Sequence, residues 1–214
     1  MPRGVRLLVS GEMACFTRPE FKVERVSYDV ITPTAARGIL ESIYWKPDIR
    51  WQANAIHVLK PIKFISVLRN EVGQKVAAGT VRRAMHASRD GNLSLIIEND
   101  RQQRNSSILT NVSYLIEATF ELKDLVPEGH SARHLAAFTR RASRGQVFQQ
   151  PYLGNREFPA RFRLLQHREP MPQAIDVSQQ LGLMLLDIDY ENGHAPIFFE
   201  ARLESGVLRM PGSR

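Results

Sequence analysis

Between residues 112 and 122, Val112, Tyr114, Ile116, Ala118, Phe120 and Leu122 alternate with Ser113, Leu115, Glu117, Thr119 and Glu121. A helix turns by about 100° per residue and would scatter these side chains around its circumference, whereas a strand puts the first set on one face. The chain therefore needs a sheet with a layer packed against one side of it. Two segments can supply that layer. In TPTAARGILESIYWKP, Thr32 suits a helix N-cap, Pro33 suits the first helical position, and Ala36, Ile39, Leu40 and Ile43 share a face. Gly38 weakens this helix slightly and Pro47 ends it. In SARHLAAFTRRASRG, Ser131 is a cap, Leu135, Phe138 and Ala142 form the apolar face, and Gly145 is the stop.

Further strands are expected at 5–10, 51–59, 61–69, 92–98 and 158–165, with the second and third of these joined at Lys60-Pro61. Residues 17–25 are a polar, arginine-containing stretch, 99–107 read as loop, and 70–91 as a long mobile excursion. A turn at Pro127 and Gly129 follows the alternating strand. The resulting order is β-α-β-β-α-β with an insertion between the middle strands, the pattern of a ferredoxin-like (RRM-like) α+β domain over residues 1–166. Residues 166–180 read as a linker. Strands at 181–190, 197–203 and 207–210, with turns at Asn192-Gly193 and Ser205-Gly206, then make a small antiparallel sheet, giving a second unit at 167–214 packed on the first.

Composition narrows the partner. Lys+Arg is 29 against 22 Asp+Glu, a net charge of +7, and the lysines are only Lys22, Lys46, Lys60, Lys63, Lys75 and Lys123. The excess is arginine, whose planar fork fits a phosphate and stacks on bases. Spread over loops and strands as well as helices, it points to nucleic acid rather than membrane. No run approaches the length of a bilayer span and the opening residues do not form a secretory signal, so a cytoplasmic location is expected. The lone Cys15 excludes an intrachain disulfide and a multi-cysteine zinc site, and is read as a small buried side chain. Neither phosphate-binding glycine motif is present, nor the aromatic RNA-binding signature, so no nucleotide cofactor and no stacking platform of that type is expected. His130 and His134 have helical metal-site spacing but no carboxylate between them, and no metal is expected there. Asp187, Asp189 and Glu191 read as a solvated strand end.

Tyr44 closes the first helix, and Arg133 and His134 open the second. If both helices lie on one sheet face, these groups can meet. Cleavage of RNA by its own 2′-hydroxyl needs a proton acceptor, a cation for the phosphorane and a proton for the departing 5′-oxygen. An imidazole suits proton transfer, a guanidinium suits only charge stabilisation, and a phenol orients or deprotonates the hydroxyl. Spacing alone leaves the bland alternatives open, a tyrosine packed at a helix end and a histidine at a helix start. The second helix also carries Arg140, Arg141 and Arg144, more cations than its dipole requires, and these read as a phosphate-binding stripe.

Four blocks carry a family resemblance: ACFTRPEFKVERVSYDVITPTAARGILESIYWKP, HVLKPIKFISVLRNEV, RHLAAFTRRASRGQVFQQPYLGNREFPA, and LGLMLLDIDYENG with FFEARLESGVLRMP. They resemble the type I-C CRISPR-associated endoribonucleases, the "d" subtype of the Cas-five family in the RAMP superfamily. The resemblance implies a ferredoxin-like domain followed by a small antiparallel sheet. It implies binding of the CRISPR repeat hairpin, metal-independent cleavage at the 3′ base of its stem, and a 2′,3′-cyclic phosphate with a 5′-hydroxyl. It implies retention on the 5′ handle of the crRNA, the backbone and large subunits of the type I-C interference complex as partners, and double-stranded DNA as a further one. The family's catalytic tyrosine falls on Tyr44 and its Lys-His pair on Arg133-His134, so arginine stands where relatives have lysine. Gln146-Val147-Phe148-Gln149-Gln150 stands where relatives carry Cys-Phe-His. Lys22, Arg37, Lys46, Arg101, Arg104, Arg140, Arg141, Arg144 and Arg156 are the basic residues expected to contact RNA. The rival expectation is a subunit that holds the 5′ handle of a guide RNA without cutting, since it would share every basic feature.

Overall fold

The computed structural model describes residues 4–21, 23–86, 96–122, 130–190 and 192–212. Its axis is one long strand. The alternating segment continues upstream into a strand, β5, that spans Arg101–Leu122, and four other segments pair along it. Strand β1, Val5–Ala14, lies antiparallel along one side, from Val5 opposite Ala118 to Ala14 opposite Leu109. Strand β3, Ile49–Val58, lies antiparallel along the other, from Ile49 opposite Leu122 to Val58 opposite Tyr114. Strand β6, Arg161–Leu164, is antiparallel to the outer edge of β1. The four run β6-β1-β5-β3. Helix α1, Pro33–Ile43, connects β1 to β3, and helix α3, His130–Ser143, connects β5 to β6. Taken by themselves these six elements follow one another as β-α-β-β-α-β, with further elements between them along the chain.

Both helices pack on one face of this sheet, and they touch each other. The apolar stripe of α1 is buried at Ala36, Ile39, Leu40 and Ile43, and that of α3 at Phe138 and Ala142. Trp51 of β3, almost fully buried, lies under the helices with its ring 4.6 Å from Phe138 and 5.2 Å from Phe120. The α1 cap is as expected: Thr32 Oγ1 accepts the Ala35 N–H at 3.2 Å. Helix α3 ends as its glycine demands. Gly145 takes φ +64, and the N–H groups of Gly145 and Gln146 fold back onto the carbonyls of Ala142 and Arg141. Cys15 is buried against Thr17, its Sγ 3.6 Å from Oγ1, and burial pushes its thiol pKa up.

The C-terminal strands are β7, Gln179–Asp189, β8, Ala195–Glu204, and β9, Val207–Arg209. They form the expected antiparallel meander, and β9 pairs with the free edge of β3 at residues 55–57, so one sheet runs through the described chain. Residues 179–180, read as linker, belong to β7.

The upstream half of β5 departs from expectation. Residues 99–107 were expected to be loop, yet strand structure begins at Arg101. Strand β4, Phe64–Val72, pairs antiparallel with residues 101–109, and the two-residue strand β2, Arg25–Val26, pairs parallel with Ser106 and Ser107. Thus β3 and β4 do not form a hairpin with each other. They lie end to end along β5, interrupted at Pro61, which has no N–H to give the ladder. The insertion between the middle strands is a lengthened version of their own hairpin. The excursion read over 70–91 contains the end of β4 and a helix, α2, Ala78–His86. Of the strand expected at 92–98, residues 92–95 lie outside the described residues and Ile97–Asn99 form a single 3-10 turn. The turn expected at Pro127 and Gly129 also lies outside them. Among the described residues no helix is long and apolar enough to cross a membrane.

Candidate active site

Tyr44 stands where α1 stops. A helix ends with carbonyls that its own backbone does not satisfy, and here three consecutive ones are taken by donors from elsewhere. The Phe148 N–H donates to Ser42 O at 2.7 Å, Arg141 Nε to Ile43 O at 2.7 Å, and Trp51 Nε1 to Tyr44 O at 2.9 Å. The last turn of α1 is thus tied to α3, to the segment after α3 and to β3. Tyr44 itself leaves the helix with extended dihedrals, φ −152 and ψ 116, which swing its side chain away from the α1 axis.

The phenol meets α3. Tyr44 Oη lies 2.9 Å from His134 Nδ1. His134 is only 8% exposed, with its ring edge-on to Phe120 at 6.1 Å. Its Nε2 is buried and makes no aligned hydrogen bond, but Asp48 Oδ2 is 3.1 Å away. A small rotation of the Asp48 carboxylate brings it into line with Nε2. Asp48 comes from the turn after Pro47 and was not singled out from the sequence. Its only advance signal was that Pro47 ends the helix and turns the next residue back. Burial raises the Tyr44 pKa above the ordinary phenol value, with the Asp48 charge adding and the Arg141 and Arg133 charges opposing. The tyrosine therefore holds its proton at neutral pH. Arg133 is exposed, close enough to Tyr44 for its charge to be felt there. Tyr44 and His134 are thus brought together, and Arg133 is exposed on the turn of α3 that carries His134.

The basic residues divide into two groups. Lys46, Arg101, Arg133, Arg140, Arg144 and Arg156 are exposed and make no ion pair among the described residues. The others have structural partners. Arg37 donates through Nη1 to both oxygens of Asp187, at 2.8 and 2.9 Å, and Arg50 pairs with the same carboxylate. Asp187 is therefore the tie between α1, β3 and β7, and the reading of it as a solvated strand end is corrected. Two guanidiniums desolvate it, whereas sequence alternation showed only a polar position. Asp189 accepts hydrogen bonds from the Asn192 N–H and Nδ2 in the turn to β8. Arg104 reaches the Val23 carbonyl at 3.4 Å and the Glu71 carboxylate at 3.8 Å, and Arg141 carries the α1 contact given above. Lys22 and Glu191 lie outside the described residues.

The family model described as "CRISPR-associated protein (Cas_Cas5)", of the Cas5d type, matches residues 4–211. The chain belongs to the Cas5d family. A Cas5d relative from Mannheimia succiniciproducens, named CRISPR pre-crRNA endoribonuclease Cas5d, is 49% identical over 217 residues, covering 99% of this chain and 96% of its own. A relative of the same name from Thermus thermophilus is 38% identical over 235 residues, covering 98% and 92%. A crystal structure described as a CRISPR-associated protein superposes with a TM-score of 0.70 at 24% identity, covering 99% of this chain and 93% of that one. A chain of a CRISPR RNA-guided surveillance complex superposes with a TM-score of 0.50 at 14% identity, covering 97% and 88%. These two likenesses show that the Cas5d chain shares its mixed, mostly antiparallel fold with them.

Proposed function

We propose that this chain cuts CRISPR repeat RNA at the 3′ base of the stem, without a metal ion, and stays on the 5′ handle of the product. The observation that carries the reading is the 2.9 Å contact between Tyr44 Oη and His134 Nδ1, with Arg133 exposed on the residue before His134. The 2′-hydroxyl oxygen bonds to the adjacent phosphorus while its proton passes to the Tyr44–His134 pair. Arg133 faces the charge that builds on the phosphorane, and as the phosphorus–O5′ bond breaks its electron pair stays on O5′, which takes a proton from solvent water. The products are a 2′,3′-cyclic phosphate and a 5′-hydroxyl. Arginine in place of lysine at position 133 supplies charge but no proton, so among the side chains proton transfer rests on Tyr44 and His134, which take the 2′-hydroxyl proton.

Residues 1–166 hold the reacting groups and 167–214 brace α1 through Asp187. The shared name of the two curated relatives supports repeat RNA as the substrate, and the surveillance-complex neighbour supports retention in an effector complex with its backbone and large subunits. Double-stranded DNA is a further partner of the same basic surface, and the protein works in the cytoplasm. The test is incubation with repeat RNA in EDTA, beside the same RNA carrying a 2′-deoxyribose at the cut. Cleavage of the all-ribose strand alone is expected. Cleavage of neither strand leaves a carrier of guide RNA.

A further inference from the structure

His134 has no ring nitrogen to offer the RNA. One faces Tyr44 and the other faces Asp48, and the ring is buried against Phe120. The reacting group at the surface is therefore Tyr44, and whatever His134 does passes through the phenol. The tautomer follows from the partners. An ionised carboxylate only accepts hydrogen bonds, so Nε2 carries the ring hydrogen toward Asp48 and Nδ1 is left as an acceptor for the Tyr44 O–H. The phenol in turn cannot stand ready as a tyrosinate, since burial and the Asp48 charge favour its neutral form.

We infer that Asp48, His134 and Tyr44 form an inward proton relay, in which Asp48 is a positioning residue and the 2′-hydroxyl proton displaces the phenol proton onto His134. This rests on the cleavage reading above and gives it a direction. As O2′ bonds to phosphorus, its proton moves to Tyr44 Oη and the phenol's own proton moves to Nδ1. The ring then carries a positive charge opposite the Asp48 carboxylate. When the phosphorus–O5′ bond breaks, its electron pair stays on O5′, which takes a proton from solvent water. The imidazolium later returns its proton to solvent through Tyr44 and neutralises the hydroxide left behind, so no proton is gained or lost. The logic is that of a carboxylate, a histidine and a hydroxyl in series, with a tyrosine as the outermost member.

The experiment compares wild type with Asp48→Asn in single-turnover cleavage at saturating protein. It uses natural repeat RNA and the same RNA with sulfur replacing O5′ at the cut. Sulfur departs without a proton, so it relieves a lost proton donor and leaves a lost proton acceptor unrelieved. Asp48→Asn is expected to slow cleavage about a hundred-fold on both RNAs, with RNA affinity unchanged. Nitrogen NMR of His134 gives a second reading: hydrogen on Nε2 in wild type, and on Nδ1 in the variant, whose amide can donate to Nε2. Wild-type speed in Asp48→Asn, with wild type active, overturns the relay and spares the cleavage reading. Recovery on the sulfur RNA overturns its direction, and a loss confined to affinity overturns the positioning role. A wild-type protein that cuts neither RNA ends both readings.

Discussion

Arg133 is the residue where this chain differs chemically from the pattern it resembles, and it gives a sharp expectation. A guanidinium facing the phosphorane contributes charge to the transition state and little to the ground state. Arg133→Ala is therefore expected to lower the single-turnover rate by about 10²- to 10³-fold with a small effect on RNA affinity. Arg133→Lys keeps the charge and is expected to recover most of the rate. Cleavage by Arg133→Ala at wild-type speed would remove the cation from the mechanism. Tyr44→Phe isolates the phenol in the same assay. It keeps the ring and loses the hydroxyl that meets His134, and a loss of about 10²-fold or more is expected. Helix periodicity makes a meeting of Tyr44 and His134 conceivable and leaves the bland alternatives open; the family resemblance is what singles out Tyr44, Arg133 and His134, and the structure adds the 2.9 Å contact between the first and the last. Asp48 was not legible in the sequence, because its approach to His134 depends on a turn after Pro47 that no periodicity describes.

At the scale of elements, the end of α1 is held by groups that look like surface polar residues in the sequence. Arg141 was grouped with Arg140 and Arg144 as a phosphate stripe, yet its Nε is spent on Ile43 O. Helical geometry separates them. At about 100° per residue, positions 133 and 140 fall within about 20° of each other, while 141 points about 80° to the side of 133 and Arg144 lies in the turn past the helix. Arg141→Met keeps the apolar stem and removes the donor, and is expected to cost about 1–3 kcal/mol in thermal or denaturant unfolding. A merely surface arginine would cost close to nothing. Gly154 makes a similar demand in the PYLGNREFPA block. It sits at φ +84, and a Cβ there would lie 1.9 Å from the Cys15 carbonyl oxygen. Gly154→Ala is expected to destabilise by about 3 kcal/mol by the same measurement. The polar half of β5 was illegible for another reason. Periodicity reports burial, and residues 101–105 bury neither face completely while still pairing with β4. The strand is visible in its hydrogen bonds and invisible in its side chains.

For the whole molecule, the count of 29 basic side chains overstates what is free to meet RNA. Arg37 and Arg50 are committed to Asp187, whereas Arg133 and Arg140 on α3 and Arg144 in the turn after it have no acidic partner among the described residues. The two sets should separate cleanly by salt and by pH. Each exposed arginine that neutralises a phosphate releases counterions, so Arg140→Ala or Arg144→Ala should reduce the slope of log affinity against log salt by about 0.7–0.9. Stability should stay unchanged. Arg37→Ala should leave that slope alone and lower stability by about 1 kcal/mol, because it removes a partner from a mostly buried carboxylate. The pH dependence fixes the sign. Burial pushes the Asp187 pKa up, but the Ile188 N–H, Arg37 and Arg50 more than offset this and hold it below the ordinary carboxylate value. A depressed folded-state pKa contributes stability that is fully present above the unfolded value of about 3.9 and is lost as pH falls through the lower folded one. Melting temperatures between pH 7 and pH 2 should accordingly show wild type losing more than Asp187→Asn at the acid end. If Arg37→Ala instead lowers the salt slope and leaves the melting temperature in place, the guanidinium faces RNA and the tie between α1 and β7 is not formed in solution.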